Sequence, residues 1–120
     1  MEYIFKGHCT SKTGDGGFDG HIAFKDGKGK KLCLIEVKGG SCGIAALRAF
    51  NDTVRVQKAD MGLFVCFEKR ATSGMIKYCD SKGIDGLFSV PKLSIITTEQ
   101  ILNKNFPAWM VQFLSNITYT

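Results

Sequence analysis

Leu32-Cys33-Leu34-Ile35-Glu36-Val37-Lys38-Gly39-Gly40 is an apolar run that ends in two charges and stops on two glycines. A strand alternates its side chains, so Glu36 and Lys38 project from one face, at the end of a strand that otherwise reads as buried. A buried charge costs free energy unless it is paired or holds a metal. The same acid-x-Lys pattern recurs at Asp26-Gly27-Lys28 and Asp80-Ser81-Lys82. The first of these lies in a polar, glycine-rich turn, and the second lies near the end of a helical stretch, just before Gly83. Only Glu36-Val37-Lys38 sits on an apolar strand. Taken alone, it reads as an ion pair at a strand end, which contributes little stability.

Upstream, residues 18–26 alternate, with Phe18, Ile22 and Phe24 on one face and Asp19, His21 and Lys25 on the other. This segment and the strand at 31–38 form a β-hairpin around the Asp26-Gly27 turn. Asp19 lies 7 residues before Asp26 and Glu36 lies 6 after Lys30, so both carboxylates are at similar distances from the tip. Downstream, Ser41 is placed to cap a helix over 43–58, with Ile44, Leu47, Phe50 and Val54 on its apolar face. Met61–Phe67 is apolar almost throughout and reads as a strand covered on both faces. Thr72 or Ser73 caps a second helix over 73–82, stopped by Gly83. Leu93–Thr97 is a short strand, Thr98–Leu102 opens a short helix, and Pro107–Leu114 is a last amphipathic helix anchored by Trp109, Phe113 and Leu114. The order hairpin, helix, strand, helix, strand, helix is that of an α/β domain, with one central mixed β-sheet flanked by helices, over residues 1–120.

Composition narrows the class. In 120 residues, 44% are hydrophobic, which suits one globular core. No apolar stretch reaches the ~18 residues of a membrane span, and the first residues lack the apolar core of a secretory signal. The five cysteines are odd in number and form no Cys-x-x-Cys pair, which reads as a reduced, cytoplasmic protein. A net charge of +5 and a pI near 9.0 suit a polyanionic partner. The densest basic segment, Lys25–Lys31, fits either such a partner or a solvated hairpin tip.

Two carboxylates converging across a hairpin can hold Mg²⁺, which takes oxygen ligands and leaves room for phosphate and water. Asp19, Glu36 and the Val37 carbonyl would form that shell. The ion would polarise a phosphoryl oxygen and activate water, and Lys38 would steady the developing charge. The chemistry is phosphodiester hydrolysis without a nucleophilic side chain. His21 shares the Asp19 face but reads as an exposed strand residue. Asp15, beside Gly14 and Gly16, is explained equally by turn chemistry. The glycine run is no dinucleotide fingerprint, since Asp19 stands where the third glycine is required.

Asp19 followed by Glu36-x-Lys38, a helix and a buried strand resembles the PD-(D/E)xK nuclease superfamily. Gly-Asp-Gly-Gly-Phe-Asp-Gly at 14–20 and Glu-Val-Lys-Gly-Gly at 36–40 resemble its Mrr-type restriction endonuclease branch, as found appended to DNA methyltransferases. The similarity covers roughly residues 14–105. It implies a restriction endonuclease-like fold and a Mg²⁺-dependent DNA endonuclease of restriction-modification type, with Mn²⁺ as a substitute ion. It also implies a homodimer or association with a larger restriction-modification subunit. By position, Asp19 and Glu36 would be metal ligands and Lys38 the catalytic lysine. Gln57 would be a further polar residue of the active site. The chain departs from the pattern at its start: Met1–Thr13 is too short for the helix that usually opens the core. It also carries no recognisable methyltransferase segment. The alternatives are a non-catalytic DNA-binding or assembly module that retains the nuclease fold, and a small α/β interaction protein with no nucleic-acid role.

Overall fold

The structure, a computed structural model, describes residues 8–9, 18–26, 29–39, 43–85 and 90–111. Strand β1 (His8–Cys9) pairs with β2 (Gly20–Asp26), which forms a hairpin with β3 (Gly29–Val37). Helix α1 (Ile44–Val56) leads to β4 (Met61–Cys66). A 3-10 turn (Glu68–Arg70) and helix α2 (Ser73–Asp80) follow. The two-residue strands β5 (Ile84–Asp85) and β6 (Val90–Pro91) form a small ribbon. Strand β7 (Leu93–Thr97) and helix α3 (Thr98–Leu102) come next, and residues 108–111 are again helical. The main sheet has the order β1-β2-β3-β4-β7, antiparallel as far as β3 and parallel from β3 to β7. The chain is thus an α/β fold with a central mixed sheet flanked by helices, as a restriction endonuclease-like core requires.

Alternation divides the apolar residues between the two sheet faces. Ile22, Phe24, Cys33, Ile35, Met61, Leu63, Val65 and Ile96 form one cluster, against which Ile101, Phe106 and Trp109 pack. Leu34, Phe64, Cys66 and Leu93 form the other, together with Leu47, Phe50 and Val54 of α1 and Met75 and Cys79 of α2. All six residues of β4 are buried, the pattern of a central strand covered on both sides. Helix α1 rests directly on this strand at Gly62. A Cβ there would lie 2.7 Å from Val54 Cγ2 and 2.9 Å from Phe50 Cε2.

The capping chemistry is local. Thr72 Oγ1 accepts the Met75 N–H, and Gly83, at φ +80°, sits where α2 has ended. Thr97 and Gln100 form a capping box that turns β7 directly into α3. Helix α1 differs from expectation. Its N-cap is Gly43, in extended conformation with no side-chain cap. The ribbon β5–β6 is also unanticipated, because strands of two residues carry no periodic signal. Phe18 packs with the helix-side cluster, away from Ile22 and Phe24. Residues 1–7, the Gly14–Gly17 run with Asp15, Ser41 and the tail beyond residue 111 lie outside the described residues, so the expectation of a short or missing first core helix falls there.

Gly62→Ala is expected to lower stability by about 1–3 kcal/mol, the usual cost of overpacking. The contacts at Val54 and Phe50 must open to admit a methyl group. Chemical denaturation against the parent chain measures the change.

Candidate functional site

The residue pairs of the β2–β3 ladder run from Asp26↔Gly29 up to Gly20↔Ile35. One step further, regularity fails. The Asp19 N–H donates to Ile35 O at 2.8 Å, although Ile35 is already opposite Gly20. Two residues of one strand then face one of the other, the arithmetic of a β-bulge. The slip explains why Phe18 joins the opposite sheet face, because a one-residue shift inverts the side-chain pattern. It also re-aims Asp19. Its Oδ2 accepts the Val37 N–H at 2.7 Å, so a side chain takes over where the β2 backbone leaves the ladder.

Glu36 stands on the same face as Leu34, paired with Phe64 of β4, and its side chain is only 12% exposed. Its carboxyl lies within hydrogen-bonding reach of the Asp19 carboxyl. Burial raises the Glu36 pKa first, and the charge and hydrogen bond of Asp19 raise it further. Lys38 pulls the other way, and the result is about 7. Lys38 continues the parallel ladder, its N–H donating to Val65 O at 2.8 Å. Its Nζ lies 3.9 Å from Glu36 Oε1, with the side chain 42% exposed, so this is a loose ion pair at the rim.

Asp19, Glu36, Val37 and Lys38 therefore meet at one end of β3. Gln57 does not join them. It is the C-cap of α1, whose 13 residues carry the chain about 20 Å from the end of β3 back toward the start of β4. That start is paired with Cys33, and Asp60 is tied to Leu32. A polar residue at the end of the crossover helix sits at the opposite end of a parallel pair. His21, opposite Leu34, lies on the Glu36 face, its ring edge-on to Phe18 with centroids 6.4 Å apart.

As a metal site, the group offers two carboxyls and the adjoining main chain. Among the described residues, no three or more His, Cys, Asp or Glu side chains gather to hold an ion. Two carboxylates are nonetheless what Mg²⁺ accepts when water and phosphate complete its shell. One Asp19 oxygen is engaged by a backbone N–H, and Glu36 holds a proton near neutrality, so metal entry competes with both. The Asp19–Val37 bond was not foreseen. Its sequence signal is the pair Asp19-Gly20 at a strand start, since aspartate readily bonds nearby backbone and glycine permits the bend.

The folded chain holds the Glu36 proton more tightly than the unfolded chain does. Stability is therefore expected to fall as pH rises from about 4.5 to about 7. The Glu36→Gln variant should lose that slope in urea titrations at stepped pH. Asp19→Ala should cost about 1 kcal/mol by leaving the Val37 N–H without its acceptor, and Asp19→Asn should recover much of it.

No curated protein matches the chain, and no solved structure matches it. No helix among the described residues is long and apolar enough to cross a membrane. One family model does match: that of NACHT-associated inactive Restriction Endonuclease 1, over residues 1–91. The match takes in the hairpin, the Asp19–Glu36–Lys38 group, α1, β4 and α2. It covers well over half the chain, and the protein belongs to the NACHT-associated inactive Restriction Endonuclease 1 family, with a restriction endonuclease-like fold.

Proposed function

We propose that this chain is a non-catalytic module that keeps the restriction endonuclease-like fold and serves in DNA binding or assembly beside a NACHT domain. The family match over residues 1–91, to a group described as NACHT-associated and inactive, carries this reading. The geometry supports it. Asp19 spends one carboxylate oxygen on the Val37 N–H, and burial pushes the Glu36 pKa up to about 7, so a share of Glu36 keeps its proton at neutral pH. Both features weaken a hard-cation site, which needs ionised carboxylates. The excess of positive charge suits DNA as the partner, and either a homodimer or a larger subunit suits the assembly role. The buried cysteines Cys33, Cys66 and Cys79 fit a reducing, cytoplasmic setting.

A second reading has its own observation. Asp19, Glu36 and Lys38 remain grouped at one strand end, which favours a Mg²⁺-dependent DNA endonuclease of the Mrr restriction-modification type. In that reading Asp19, Glu36 and the Val37 carbonyl hold the ion. Bound there, it would polarise the phosphoryl group. Lys38 would neutralise charge on the phosphate, and Gln57, at the opposite end of the strands, would take no part.

The two readings part in one assay. Supercoiled plasmid incubated with the protein and Mg²⁺ or Mn²⁺ is expected to stay intact, the same as with Lys38→Ala. Nicking that disappears in Lys38→Ala and Glu36→Ala would establish the endonuclease instead.

A further inference from the structure

On the outer side of the helix layer, α1 and α2 meet at Tyr78. The ring is half-buried against the helix-side core, and its hydroxyl accepts from Asn51 Nδ2 at 3.4 Å. Two cations rest on that one ring. Arg48 Cζ of α1 lies 5.6 Å from its centroid, and Lys82 Nζ lies 4.5 Å from it. Lys82 belongs to the Asp80-Ser81-Lys82 triplet that sequence reading set aside. The ion pairs of the described residues lie elsewhere: Arg55 pairs with Asp52 at 3.1 Å, Lys31 with Asp60 at 3.8 Å and Lys38 with Glu36. Asp80 lines a cleft of about 260 Å³ on the β7 side of α2, with Ile76, Cys79 and Trp109. Neither Arg48 nor Lys82 has an acidic partner among the described residues. Two cations are thus brought to one half-buried ring with no carboxylate paired to either among the described residues.

We infer that the α1–α2 seam, through Arg48, Lys82 and Tyr78, is a docking surface for the phosphodiester backbone of nucleic acid. This rests on the non-catalytic, nucleic-acid-binding reading of the fold and names its contact surface. It lies on the helices, separate from the strand-end carboxyls. Arginine offers a planar fork matched to phosphate oxygens, and lysine adds a point charge. The ring holds both side chains in place beforehand, which lowers the ordering cost of binding. Phosphates along one backbone would supply the negative charge that neither cation finds in the protein. Such contacts carry no base information, so binding is insensitive to sequence and steeply salt-dependent.

Fluorescence anisotropy with a labelled double-stranded DNA oligonucleotide, titrated over a range of salt, tests the seam. The parent chain is expected to bind. Arg48→Gln/Lys82→Gln is expected to bind at least tenfold more weakly, with the salt slope reduced by about two. Lys69→Gln/Lys92→Gln removes the same charge elsewhere and should stay within twofold of the parent. Thermal melts of both variants verify folding. Equal weakening by the two double variants, an unchanged seam variant, or no binding by the parent would overturn the seam. Gel analysis of the same mixtures with Mg²⁺ reads the separate question: cut DNA would overturn the non-catalytic reading and leave the binding result standing.

Discussion

Every other feature of the fold depends on the complete burial of β4. A strand with six buried residues needs partners on both edges and cover on both faces. Strands β3 and β7 supply the edges in parallel register. Parallel neighbours require crossovers, and these are α1 and α2, which close one face. The second face is closed by α3 and the residues around Trp109 and Met110. The contact at Gly62 sets how closely α1 may approach. The parallel ladder continues one residue past β3, through the Lys38 N–H to Val65, and so fixes the end of β3 in space. The position of the carboxyl group follows from core packing.

The site itself is built by an irregularity. Up to Gly20 the hairpin is a regular antiparallel ladder, and at Asp19 it slips. The slip brings the Asp19 carboxyl to the Val37 N–H and into reach of Glu36, and it sends Phe18 to the opposite face. Glu36 is then flanked by an acid on one side and a loose cation on the other. Burial outweighs the cation, because Lys38 reaches it only at 3.9 Å from the rim.

Much of this was legible in the residues. The hairpin, α1, β4, α2 and β7 follow from periodicity, and counting from the hairpin tip brings Asp19 level with Glu36 from the sequence alone. Three things were not legible. The bulge depends on a backbone departure that alternation cannot register. Ribbon β5–β6 is too short to show a period. Gln57 was placed by analogy of position along the chain, but a crossover helix carries its last residue to the opposite end of the strands. The family assignment also moved the weight from hydrolysis to a non-catalytic role, which residue identity alone could not do. Asp19, Glu36 and Lys38 read the same in either case.

The bond from the Val37 N–H to Asp19 bears on how such a chain changes over time. An acid retained only for hydrolysis is free to drift once hydrolysis is no longer selected. Here the same acid closes the open end of a strand pair, so replacing it carries a folding penalty that has nothing to do with turnover. A nuclease signature can therefore outlive the nuclease. In this chain the aspartate serves the architecture of the hairpin, so its presence says little about whether DNA is cut.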